Sequence, residues 1–131
     1  ANFSNNSNNK VKIIIQTGGC DDWYTPGIKK NKIQRFMLKR DGLELLDEKK
    51  LASMGSKDTL YNFLEWGVNN YPAEKMGVVF WNHGNGVSGG VCTDKMDSLM
   101  VPELEYAFAK VNKKMTIVVR QSKINFFFEL F

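Results

Sequence analysis

Histidine occurs once and cysteine twice in this 131-residue chain, at His83, Cys20 and Cys92. One histidine excludes a multi-histidine metal centre, and two cysteines exclude both a disulfide-dense scaffold and a four-cysteine zinc site. No apolar run approaches the ~20 residues of a membrane-spanning helix, and the first residues lack the charged-then-apolar pattern of a signal segment. Hydrophobic residues at 43% and charged residues at 24% lie close to the globular average, which excludes wholesale disorder. At this length the expectation is one domain, burying roughly two thirds of its unfolded surface.

The charge balance is weakly basic, 18 cationic against 14 anionic side chains for a net +4. Its densest stretch is Lys29, Lys30, Lys32, Arg35, Lys39 and Arg40, with Phe36 interleaved. Such a run attracts nucleic acid when aromatic stacking platforms repeat along it. None repeats here, so the stretch reads as the solvated face of a hairpin. Cys20 and Cys92 read as small buried residues; spacing alone leaves a disulfide between them open.

Residues 1–10 are dominated by Asn and Ser and read as a flexible tail. Asn2-Phe3-Ser4 and Asn5-Asn6-Ser7 fit the glycosylation sequon, a match expected by chance in so Asn-rich a stretch. Lys12 to Gln16, closed by Thr17-Gly18-Gly19, is a β-branched apolar run that predicts a buried strand. Ile33 to Leu38 and Leu43 to Leu46 flank Asp41-Gly42, a pair suited to the positive φ of a tight hairpin turn. Ser56 and Asp58 can cap a helix with Leu60, Phe63, Leu64, Val68 and Tyr71 on its apolar face, ended by Pro72. Met76 to Trp81 predicts a second buried strand, and Pro102 opens a helix carrying Leu104, Ala107, Phe108 and Val111. Met115 to Val119 fits a third strand, followed by a crowded aromatic stretch from Ile124 to Phe131. Strands alternating with helices predict an α/β fold around a mainly parallel sheet. The organisation expected is a tail over 1–10, a folded body over 11–114 and an atypical tail over 115–131.

In an open α/β sheet, reactive groups gather at the carboxyl ends of the strands. His83 follows the strand Val78-Val79-Phe80-Trp81 directly, and an imidazole there can act as general base and acid. Gly84 and Gly86 let the backbone pass close to a bound group, leaving the Gly84 amide free to point at an anion. A competing pattern runs from Gly84 through Gly86 to Gly89, a literal G-x-G-x-x-G with Glu103 downstream for a ribose contact. That fingerprint needs a helix opening inside the motif. Val87 to Asp94 reads as loop or strand, so the dinucleotide reading fails.

Taken in order, Thr17-Gly18-Gly19, Arg35-Phe36, Met54-Gly55, Thr59-Leu60, Phe63-Leu64-Glu65-Trp66, Tyr71-Pro72-Ala73-Glu74-Lys75 and Trp81-Asn82-His83-Gly84-Asn85-Gly86 resemble the clostripain family of bacterial cysteine peptidases. Asp94 and Leu99 to Leu104 with Ala107-Phe108 also fit, so the resemblance covers residues 11 to 111. It implies a caspase-like three-layer sandwich and a histidine–cysteine dyad that cleaves peptide bonds after Arg or Lys. His83 matches the histidine of the dyad and Gly84 the glycine whose amide helps form the oxyanion hole.

The family nucleophile is different: it lies in an Asp-Ala-Cys that ends the strand after the Pro102 helix, and this sequence contains no Asp-Ala-Cys. Cys20 and Cys92 stand outside that position. The chain therefore reads as the amino-terminal part of a clostripain-like peptidase, its fold incomplete, carrying the base without the nucleophile. The alternative is an inactive half domain that binds a partner subunit. No cofactor is expected, calcium being the one ion the resemblance brings in. The expected partners are a peptide or protein substrate with basic residues and a second chain bearing the thiol, with neither nucleic acid nor membrane among them. By resemblance the protein would be secreted or held at the cell envelope.

Overall fold

A computed structural model describes residues 11–81, 97–120 and 127–130. The expected tail over 1–10, with its two sequons, lies outside these residues. Six strands, β1 (Ile14–Thr17), β2 (Lys32–Lys39), β3 (Gly42–Lys50), β4 (Met76–Trp81), β5 (Met115–Arg120) and β6 (Phe127–Leu130), form one sheet in the order β3-β2-β1-β6-β4-β5. Two helices, α1 (Lys57–Asn70) and α2 (Val101–Val111), join it.

β2 and β3 pair antiparallel from Lys32↔Lys50 to Lys39↔Gly42, so the two-residue link is Arg40-Asp41. The turn sits one residue earlier than the Asp41-Gly42 pairing anticipated, and Gly42 opens β3 at φ 140°, a conformation that excludes a Cβ. A bulge between Arg35 and Phe36 shifts the register so that Arg35 faces Asp47 and Phe36 faces Leu45. Leu46, the extra residue, packs against the core.

α1 begins at Ser56, whose hydroxyl accepts the Asp58 N–H at 3.3 Å, and Asp58 adds favourable charge to the first turn. It buries Leu60, Phe63, Leu64 and Gly67, while Val68 and Tyr71 are half-buried. Pro72 follows the cap at Tyr71, whose N–H donates to the Gly67 carbonyl. α2 has Pro102 in its first turn, and the Glu103 carboxylate accepts the Met100 N–H at 3.0 Å. The acidic residue that the dinucleotide pattern required is a helix cap.

Alternation along the strands puts Ile14, Ile33, Met37, Val78 and Phe80 on one sheet face, where they meet Leu60, Phe63 and Leu64 of α1 and Ala107 of α2. The Phe80 and Phe108 rings meet edge to face at 6.3 Å. Both described helices thus cover the same face, so the described residues show two layers; a third is not among them.

A mainly parallel sheet was expected, yet only β4 and β5 pair in parallel; β1–β2, β2–β3, β1–β6 and β4–β6 are antiparallel. The difference has two sources. The hairpin adds antiparallel strands at one side, and β6 inserts between β1 and β4. β1, β4 and β5 do all point the same way, because β6 opposes both of its neighbours. The stretch 115–131 thus contributes two strands to the sheet.

Arg35 departs furthest from its expected place. It lies on β2 between Ile33 and Met37, on the helix-covered face, and is only 1% exposed. Its Nε donates to Gln16 Oε1 at 2.9 Å, one terminal nitrogen to Asn62 Oδ1 at 2.7 Å and the other to Asp47 Oδ2 at 3.2 Å. The guanidinium carbon lies 4.7 Å from the Trp66 ring centre and 5.6 Å from that of Phe63. Burial lowers its pKa to about 10, against the opposing pull of Asp47. Its neighbours in the basic run behave as a solvated face should: Lys29 and Lys39 are exposed, and pair with Glu48 and Glu44.

Removing this side chain leaves the buried Gln16 carbonyl oxygen without its donor, and leaves Asp47, still in reach of water, with only the Lys49 ammonium 3.9 Å away. Arg35→Leu is expected to cost about 2–4 kcal/mol in urea unfolding. Arg35→Lys should recover only part, since an ammonium cannot bond three elements in one plane. Well below pH 10 the group is charged both folded and unfolded, so its contribution should be independent of pH there.

Candidate active site

β1, β4 and β5 carry their carboxyl ends to one rim of the sheet. Gln16 and Phe80 both pair with Phe128, so β1 and β4 end at the same level, two strand spacings or ~10 Å apart. Trp81, the last residue of β4, pairs with Arg120, the last of β5. His83 comes two positions after Trp81 in the sequence, and Cys20 three positions after Thr17. His83, Gly84, the remainder of the Gly84 to Gly89 pattern, Cys92 and Asp94 all lie outside the described residues.

The described part of the rim is built around small and soft residues. Gly18 is buried directly after β1, and a Cβ there would overlap Ile33 Cδ1 and come within 3.1 Å of Met54 Sδ. The Gln16 amide donates to the same sulfur at 3.9 Å. Gly19 takes φ 73°, which turns the chain out of the strand. Cys20, half-buried, donates its S–H to the Asp22 carbonyl at 3.0 Å.

Gly55 continues from Met54 and lies against the backbone of Asp97 and Ser98. A Cβ on it would overlap the Asp97 carbonyl and stand 2.7 Å from Ser98 N. Leu99, next along, is fully buried in the core. The segment that leaves the sheet at Trp81 therefore rejoins the described structure at Asp97, seated on Gly55, while Met54 beside it packs on the end of β1. The Thr17-Gly18-Gly19 and Met54-Gly55 motifs thus act together as the supports of one rim.

β5 follows α2 and runs parallel beside β4, and beyond Arg120 the sequence reads Gln121-Ser122. No thiol stands at its end. Among the described residues no group of three Asp, Glu, His or Cys side chains could hold a metal ion. No described helix is long and apolar enough to cross a membrane. Sequence reasoning missed the Arg35 cluster. The signal that could have found it is the spacing, since Arg35 sits two residues from both Ile33 and Met37 and therefore on the core face.

The model of the Clostripain family matches residues 2–121, and the chain belongs to that family. Membership points to cysteine peptidase chemistry. The match continues past residue 114 through the whole of β5. No curated protein matches the chain.

Alanine at the two supporting glycines separates their roles. Gly18→Ala meets the end of a side chain and is expected to cost about 1–3 kcal/mol as overpacking. Gly55→Ala meets main chain, which cannot swing aside. It should lower the urea midpoint further and raise proteolytic nicking in the 82–98 stretch, read by mass spectrometry.

Proposed function

We propose that the chain supplies the histidine side of a clostripain-type cysteine endopeptidase acting after Arg or Lys. The observation that carries this reading is the rim itself. β4, whose sequence runs directly into Trp81-Asn82-His83-Gly84, ends level with β1, and the family's glycine motifs form the supports around it. In this reading His83 takes the proton of a cysteine thiol, and the thiolate adds to the scissile carbonyl carbon. The Gly84 amide donates to the resulting oxyanion. His83 then passes its proton to the departing amine, leaving a thioester that water hydrolyses to restore the thiol. The thiol comes from outside these 131 residues, on a segment with the family's Asp-Ala-Cys. Substrates are peptides or proteins with basic residues, and the site of action is outside the cell or at its envelope.

A second reading is favoured by one observation: the strand beside β4 ends in Arg120, with no cysteine after it. The chain would then be a caspase-like half domain that binds a partner and does no chemistry. Mixing the chain with a family segment bearing Asp-Ala-Cys, and following release of a fluorophore after Arg or Lys, separates the two. The peptidase reading expects cleavage that falls at least about a hundredfold in His83→Ala and is unchanged in Cys20→Ser. Cleavage unaffected by His83→Ala would overturn the assignment of the base, and no cleavage at all would leave the binding reading in its place.

A further inference from the structure

Gln16 is a polar residue that the packing of β1 does not require. It lies on the helix-covered face two residues from Ile14, opposite Arg35 in the ladder, and is fully buried. An apolar side chain there would fill the space without the cost of taking an amide out of water. Both ends of the amide are used. Its carbonyl oxygen accepts from Arg35 Nε at 2.9 Å, and its nitrogen donates to Met54 Sδ at 3.9 Å. A thioether is a weak acceptor, so this second bond gives the flexible Met54 side chain a direction more than it adds stability. Met54 is fully buried, and its sulfur lies against Gly18, the first residue beyond β1. Next to it Gly55, whose N–H donates to Ser53 Oγ at 3.1 Å, lies against the main chain of Asp97 and Ser98. Leu99 then enters the core. A single step along the chain thus joins a side chain directed by Gln16 to the point where the backbone returns to the fold at Asp97.

We infer that Gln16 and Met54 are a positioning pair: the amide-to-sulfur contact sets the anchor at Asp97, and through that anchor the alignment of the stretch that carries His83. Neither side chain is a catalytic group; each acts through the main chain it locates. The effect on cleavage rests on the peptidase reading, and the effect on the Asp97 anchor does not. The contact is separable from the Arg35 cluster. Gln16→Glu keeps an acceptor for Arg35 but, ionised beside that cation, has no N–H for the sulfur. Met54→Leu keeps the apolar volume and removes the acceptor. The two replacements break one link from opposite sides.

The test follows hydrogen exchange of the Ser98 and Leu99 amides by NMR in the full 131-residue chain, corrected for global stability by urea unfolding. The variants are Gln16→Glu, Met54→Leu, the two combined, and Met37→Leu, the same replacement made elsewhere in the same core. Gln16→Glu and Met54→Leu should each speed exchange at least about threefold, and the double variant no further than the faster single. Met37→Leu should leave it unchanged. Exchange unaffected by the single variants, raised equally by Met37→Leu, or additive in the double would overturn the pair. Should one single variant fail to fold, the other decides against Met37→Leu. In the mixed cleavage assay with the Asp-Ala-Cys segment, both single variants should lower kcat at least about tenfold at unchanged KM. A raised KM at unchanged kcat would overturn the alignment of the histidine. Absence of cleavage by the unaltered chain would remove the peptidase reading, and amide exchange would then decide the pair by itself.

Discussion

A guanidinium stays charged at any physiological pH, and burying it is tolerable only where neighbours replace the water it loses. Arg35 makes that replacement with four groups from three elements: Gln16 on β1, Asp47 on β3, and Asn62 and the Trp66 ring on α1. Each bond fixes one element relative to β2. The hairpin cannot slide by a residue without taking the cation to the opposite face, and α1 cannot rotate without withdrawing Asn62. An apolar residue of similar size would fill the space but would leave those registers free, so the charge acts here as a locating pin between the sheet and its helix layer.

From that joint the rim of β1 is held in place. Gln16 accepts from Arg35 and donates to Met54, Met54 packs on Gly18, and Gly55 seats the backbone at Asp97. The chain of contacts runs from the hairpin to the rim through Met54, which is itself a fully buried member of the core. Its members are small or adaptable where backbones approach closely, a thioether and two glycines, and rigid where direction matters. The rim is the place where the Clostripain family match and the sheet geometry agree, since the motifs conspicuous in the sequence are the ones that make these contacts.

Local features were legible in the sequence because their causes are local. β4 runs over Met76 to Trp81 as its apolar stretch indicates, Ser56 caps α1, and Pro102 sits in the first turn of α2. What escaped was set by partners distant along the chain. Arg35 read as solvated because it stands in a basic run, although its two-residue spacing from Ile33 and Met37 put it on the core face. The hairpin turn shifted by one residue because the ladder closes at Lys39 and Gly42. The sheet's antiparallel character depends on where Phe127 to Leu130 inserts, and nothing in four apolar-rich residues specifies two neighbours so far away. At the site, His83 and Gly84 stand on motif and position in the chain, and the surrounding supports are what the structure adds.

The insertion of β6 also bears on how the molecule comes to be made. Its pairs join Ile14 and Val78 to the same Leu130, partners far apart in the order of synthesis. Most central strands are in hand when the strands around them emerge; this one follows the other five described strands. Until then β1 and β4 each present a bare apolar edge, and the helices have two half-sheets to cover and no continuous one. Contacts of such long span are slow to form, because a large loop must close before any bond repays it. Until β6 emerges, the nascent chain therefore carries β1 and β4 open to any other extended segment, a condition in which a chaperone is a more natural companion than solvent.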